Sequence, residues 1–190
     1  MALTMTQPVI SPLDKYFSIV LVPGLRNSDD YHWQSFWARR FVGWRRISQR
    51  NWVQPDIENW VSAIRRELAV CPHPVILIGH SFGALASRLV VQNNPENIAG
   101  IVMVAPAEPS YFQLEEKITT TKSKTPGIVF GSHNDPLMPF GRAIYWASHW
   151  QYDIIDLGDA GHINSESGYG EWEYGLERIF EFGNFLLDRQ

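Results

Sequence analysis

Three residues have the types and the order needed to move an acyl group: Ser81, Asp135 and His162. A serine hydroxyl is a weak nucleophile until a neighbouring base takes its proton. An imidazole serves as that base when a carboxylate fixes its tautomer and stabilises its charged form. Ser81 stands in Gly79-His80-Ser81-Phe82-Gly83, at the end of the apolar run Val75-Ile76-Leu77-Ile78, and a helical pattern begins directly behind it. The two glycines add no packing and cost entropy on ordering. They are explained if the backbone turns so tightly at Ser81 that the residues two before and two after must be small. Such a strand-to-helix turn holds the hydroxyl out and aims the first N–H groups of the helix at the same place, ready for a developing oxyanion.

Asp135 lies in Ser132-His133-Asn134-Asp135-Pro136, just beyond the apolar run 127–131. His162 lies in Gly158-Asp159-Ala160-Gly161-His162-Ile163-Asn164, beyond the run 152–157. Singly, each has an ordinary explanation: a turn-forming aspartate before proline and a surface histidine. Together, at three strand ends in the order Ser, Asp, His, they are far more specific than the pentapeptide alone. Other candidates fit less well. Asp159 is too near His162 in sequence to reach round it, Asp153 and Asp156 fall within a strand pattern, and Asp56 reads as a helix N-cap. The His80 ring is expected to point away from the crevice or to line the turn, and His133 to be exposed in its loop. His32, His73 and His149 show no metal-ligand spacing, so neither a metal nor another cofactor is expected.

The oxyanion donors expected are the backbone N–H of Phe82 and that of Leu25, in the loop 22–26 after the first strand. Arg26 either leans over the same crevice or only faces solvent. Trp172 follows the glycine-rich stretch beyond His162 and is a possible pocket wall, core packing being the simpler role. Trp33, Trp37, Trp60 and Trp146 read as helix-face core residues.

Strands are expected at 16–22, 45–49, 75–78, 98–104, 127–131 and 152–157, and helices at 30–41, 55–70, 82–92, 140–150 and 172–187. Asp29 or Asp30 is the expected cap of the first helix, and Pro55-Asp56 opens the second. Repeated strand–helix units imply an α/β fold of three layers, with a mostly parallel central sheet and helices on both faces. The stretch 105–124 is an irregular loop or a small cap, too short for a lid domain. One domain, 15–190, is expected behind a disordered leader, 1–14.

Composition narrows the partners. The chain has 190 residues, 45% of them apolar and 19% charged, with a net charge of −4 and no basic stripe. A small acyl substrate fits this balance, and neither nucleic acid nor a membrane surface is an expected partner. Cys71 is the only cysteine, which suits a reducing compartment. The N-terminal stretch has neither signal-peptide nor membrane-span character, so a cytoplasmic location is expected. Oligomeric state is left open.

The segments HWQSFW, GHSFGALAS, VAPAEP and GHINSESGYGEW resemble the small serine hydrolases of the retinoblastoma-binding protein 9 and YdeN type, over nearly the whole chain from Phe17 to Leu187. The resemblance implies a compact α/β-hydrolase fold with little or no cap, esterase- or peptidase-like activity, and a triad falling on Ser81, Asp135 and His162. The L-x-C-x-E segment for which the family's name-giving member is known is not present. The only cysteine lies in Leu68-Ala69-Val70-Cys71-Pro72-His73. The leading expectation is thus a serine hydrolase that cleaves a small ester, thioester or amide through an acyl-enzyme. Its rivals are an acyltransferase and a protein-interaction module on the same scaffold.

Overall fold

Each apolar run becomes a strand and each amphipathic stretch a helix. In the computed structural model, which describes residues 8–93 and 96–189, the elements are β1 (Ser18–Val22), α1 (Trp33–Arg40), β2 (Arg45–Arg46), α2 (Ile57–Leu68), β3 (Val75–His80), α3 (Phe82–Asn93), β4 (Ile98–Val104), β5 (Gly127–Gly131), α4 (Phe140–Trp150), β6 (Asp153–Asp156) and α5 (Glu173–Leu187). The six strands are all parallel, in the order β2-β1-β3-β4-β5-β6.

Alternation along the strands divides the core in two. Val20, Val22, Leu77, Met103 and Val129 face α2, α3 and α4, whereas Ile19, Leu21, Ile78, Val104 and Phe130 face α1 and α5. With both faces covered, the inner strands are apolar apart from Ser18 and His80 at their ends, and β1, β3 and β5 are buried throughout. The chain leaves β1 to one side for β2 and returns to its other side for β3. That reversal opens a crevice at the carboxyl ends of β1 and β3, where ligands bind in open sheets of this kind.

Several boundaries differ from those expected. β2 spans two residues instead of five, and as an edge strand it carries Arg45 and Arg46, charges that discourage edge pairing. α1 is capped by His32, whose Nδ1 accepts from the Gln34 N–H at 3.2 Å. Asp29 instead closes a tight turn, accepting from the Tyr31 N–H at 2.8 Å. Asp56 caps α2 by accepting from the Glu58 N–H at 3.1 Å. Within residues 8–14, expected in a disordered leader, Val9 bridges Phe41 and Ser11 and Leu13 are buried, Leu13 being only 2% exposed, while Val9 and Ile10 face solvent. Leu13 seats where a side chain at Gly183 of α5 would otherwise stand. The rest of that expected leader, 1–7, lies outside the described residues.

The stretch 105–124 forms one 3-10 turn, Pro109–Phe112, and sinks Ala107, Leu114 and Ile118 into the core beneath α2 and α3. It is a strap on the body, not a cap. Trp150 Nε1 and Arg88 Nη2 hold it through the Thr119 and Thr121 carbonyls, at 2.8 and 2.9 Å. Among the described residues, no helix is long and apolar enough to cross a membrane.

Candidate active site

β3 ends at His80 and α3 begins at Phe82, so Ser81 alone makes the turn. Its φ is 54°, in the left-handed region that a serine enters only under constraint. A Cβ at Gly79 would lie 2.6 Å from Ala84 Cα, and one at Gly83 only 2.3 Å from the Val22 carbonyl oxygen. Backbone approaches backbone at both points, so both positions need glycine. The turn is pinned by Ser81 N–H to the Val104 carbonyl, 3.1 Å, and Ala84 N–H to the Ser81 carbonyl, 3.0 Å.

The loops after β5 and β6 bring the other two residues to this turn. His162 Nε2 lies 2.9 Å from Ser81 Oγ. His162 Nδ1 lies 2.9 and 3.0 Å from the two carboxylate oxygens of Asp135. A carboxylate only accepts, so Nδ1 carries the proton and the Nε2 lone pair is left for the serine hydroxyl to donate to. Asp135 Oδ1 also accepts from the Leu137 N–H at 2.9 Å, which keeps the carboxyl group in place. The Asp135 side chain is 1% exposed and that of His162 13%. The arrangement can draw a proton from Ser81 while keeping water from the carboxylate.

The loop after β1 stands against the same hydroxyl: a Cβ at Gly24 would be 2.9 Å from Ser81 Cβ. Trp60 Nε1 donates to the Pro23 carbonyl and Arg26 N–H to the Trp52 carbonyl, both at 2.7 Å, which fixes the loop on either side of Leu25. Neither the Leu25 nor the Phe82 amide donates a hydrogen bond among the described residues. The Phe82 ring packs between Trp60 and Phe112. Arg26 is exposed, and its side chain makes no hydrogen bond or ion pair among the described residues. The half-buried Trp172 ring packs against Trp33, Trp37, Phe130 and Tyr169, at the margin of the core on the α1 and α5 face.

His80 lines the turn from beneath, with Nε2 2.9 Å from the His162 carbonyl oxygen. Burial, reinforced by the neighbouring His32 and His162, holds its pKa well below the ordinary histidine value. Burial also lowers His32, to about 4. His133 is half-exposed, as its loop suggested, but bonds Asp156 at 2.9 Å. Two polar side chains missed by sequence reasoning knit these loops together. Ser132 Oγ accepts from the Ala160 N–H at 3.0 Å, and Asn134 Oδ1 accepts from the Gly161 N–H at 2.6 Å. The only signal for them was their closeness to Asp135. Among the described residues, no three His, Cys, Asp or Glu side chains gather so as to hold a metal ion.

Residues 19–181 match the serine hydrolase family. A solved structure described as a YdeN-like hydrolase, from Pectobacterium atrosepticum, is 57% identical, with a TM-score of 0.90 over 92% of this chain and 94% of that one. The YdeN protein of Bacillus subtilis is 17% identical, with a TM-score of 0.70 over 88% of this chain and 98% of that one. A thermophilic esterase of Thermogutta terrifontis, 18% identical, has a TM-score of 0.63 over 93% of this chain and 86% of that one. The last two show likeness of fold. No curated protein matches the chain.

Proposed function

Since the chain belongs to the serine hydrolase family and is a hydrolase, we propose that it cleaves small esters, thioesters or amides through an acyl-enzyme formed on Ser81. Ser81 Oγ attacks the carbonyl carbon as its proton passes to His162 Nε2. The carbonyl oxygen becomes an oxyanion between the Leu25 and Phe82 N–H groups, at the positive end of α3. Collapse expels the alcohol, thiol or amine, which takes the proton back from His162. Water then repeats the sequence on the acyl-enzyme, releases the acid and restores the Ser81 hydroxyl. Asp135 holds the imidazole with its proton on Nδ1 and stabilises the imidazolium in each half.

The observation that carries this reading is the unbroken hydrogen-bonded line Asp135–His162–Ser81 at 2.9 Å per link. The strap 105–124, sunk into the core, supports a preference for short acyl groups: it leaves little apolar surface for a long chain, worth about 0.8 kcal/mol per buried methylene.

A fluorophosphonate should add one adduct mass to the wild type and none to Ser81→Ala. An adduct that survives the substitution, or none on the folded wild type, overturns the assignment of the nucleophile. On a panel of activated esters, kcat/KM should be highest for the short acyl groups. A steady rise with acyl length overturns the substrate class.

A further inference from the structure

The backbone that carries His162 is strained and gripped. Ile163 has φ 48°, a left-handed conformation that a β-branched residue holds only when its surroundings over-determine it. Ile163 itself is fully buried. His80 Nε2 lies 2.9 Å from the His162 carbonyl oxygen, and Trp33 Nε1 donates to the Ile163 carbonyl oxygen at 2.9 Å. We infer that His80 and Trp33 are positioning residues, which set the place of the His162 imidazole over Ser81 by gripping two consecutive carbonyls of its loop. The inference rests on the reading of His162 as the base.

Chain connectivity makes the His80 contact more than packing. His80 immediately precedes Ser81, so the contacts close a ring. It runs from Ser81 Oγ to His162 Nε2 at 2.9 Å, through His162 to its own carbonyl, across 2.9 Å to His80 Nε2, and along one peptide back to Ser81. The separation of nucleophile and base is thereby set within one small frame, instead of through two loops and the width of the sheet.

The frame has a chemical requirement. A carbonyl only accepts, so His80 must carry its proton on Nε2. It must also stay neutral, because its ring centroid is 4.8 Å from that of His162. A second imidazolium there would oppose the charge His162 gains from Ser81. Burial enforces neutrality. Behind His80, His32 packs edge to face at 4.7 Å. The His32 Nδ1 is committed to the Gln34 N–H, so it too is the Nε2–H tautomer. Of the three adjoining imidazoles, only His162 has a carboxylate at hydrogen-bonding distance.

Imidazole 15N NMR of the wild type reads the frame without any turnover. His80 should be the Nε2–H tautomer and should not titrate between about pH 5 and 8. A His80 that is protonated on Nδ1, or that titrates as an ordinary histidine, overturns the inference. Three variants then read the consequence. His80→Phe keeps a ring and removes the donor, His80→Gln returns an N–H, and Trp33→Phe removes the indole donor. In His80→Phe, kcat on a short-chain ester should fall about 100-fold with KM unchanged, and fluorophosphonate capture should slow in parallel. His80→Gln should recover part of that loss at a similar melting temperature, and Trp33→Phe should lose about tenfold. Unchanged kcat in folded variants, or equal losses in His80→Phe and His80→Gln, overturns the positioning role. If His80→Phe does not fold, Trp33→Phe and the NMR tautomer decide the matter. If the wild type neither cleaves esters nor is captured, the hydrolytic reading of Ser81 falls, and the tautomer alone decides the frame.

Discussion

Two histidine–aspartate pairs stand near one another at the carboxyl ends of β5 and β6. His162 Nδ1 lies 2.9 Å from Asp135, and His133 Nε2 lies 2.9 Å from Asp156. In both, the aspartate also accepts from the N–H two residues on: Leu137 for Asp135, Gly158 for Asp156. They are even crossed, since β5 leads to His133 and Asp135, while β6 supplies Asp156 and leads to His162. What separates them is water. The side chains of the first pair are 13% and 1% exposed, those of the second 48% and 51%. An exposed pair is screened and adds little, whereas a sealed one acts through a lower effective dielectric. The sealed histidine also has a second partner, Ser81, at its other nitrogen. On the proposed reading, residue types and a distance do not by themselves make a base; enclosure and a proton donor on the far side are also needed.

The strongest test of the contrast is the same substitution in both pairs. Asp135→Asn should lower kcat by about 10⁴, because the amide presents an N–H₂ to Nδ1 and favours the wrong tautomer. Asparagine serves the turn nearly as well as aspartate, so the melting temperature should hold. Asp156→Asn should leave kcat unchanged. Equal effects of the two on hydrolysis of a short-chain ester would erase the distinction.

A smaller effect is expected where the loops of the two pairs are knitted together. Asn134 Oδ1 accepts from Ser132 Oγ at 2.9 Å and from the Gly161 N–H at 2.6 Å. Asn134→Ala should lower kcat about tenfold by loosening the seat of His162, while His133→Leu next to it should not. A larger loss in His133→Leu would mean that the exposed pair serves the site after all.

The exposed pair should report itself only in stability. The Asp156 carboxyl is held below its ordinary pKa, first by the Gly158 N–H and then by His133. A depressed folded-state pKa contributes stability that is present above the unfolded value, about 3.9, and is lost as pH falls through the folded value. The gap in melting temperature between wild type and Asp156→Asn should thus be present at about pH 6 and close below about pH 4. A gap that widens on acidification reverses the sign and refutes the cause.

The smallest effect is that of salt. At about pH 6, the part of that gap due to His133 should shrink in about 1 M salt, where the screening length is about 3 Å. The loss of kcat in Asp135→Asn should not respond. A salt-sensitive Asp135 effect would mean that its pair is wetter than its burial implies.

The fold was legible because a parallel sheet covered on both faces demands unbroken apolar strands. The runs 98–104 and 127–131 coincide with β4 and β5. The elbow was legible because close backbone approach leaves glycine as the only fit at Gly79 and Gly83. The cap of α1 was not, because two aspartates nearby are better cap formers than His32, and a local turn claimed Asp29. The seating of Leu13 was missed because it depends on the gap at Gly183 of α5, a contact between residues far apart in sequence. The sequence singled out Asp135 and His162 by position, but it could not reveal that His133 and Asp156 form a second pair, since burial of a loop is a property of the assembled surface. Nor could it show that buried tryptophans would spend their indole N–H groups on loop carbonyls, as Trp33, Trp37, Trp60 and Trp150 do.

Those indole ties also bear on the order in which the molecule is made. The Trp33–Ile163 and Trp37–Glu171 bonds join residues 130 and 134 positions apart. Contacts of such separation form late, because the entropy of closing a long loop is lost before any contact offsets it. The elbow at Ser81 needs only β1, β3, α3 and β4, all complete by Val104. In the proposed mechanism, the segment that carries the nucleophile is therefore synthesised before the loop that carries its base, and the Trp33 and Trp37 ties can close only once residues 163 and 171 have been made. A growing chain then holds the proposed nucleophile without its proposed base, and the line from Ser81 to His162 can form only after the loop beyond β6 has been made.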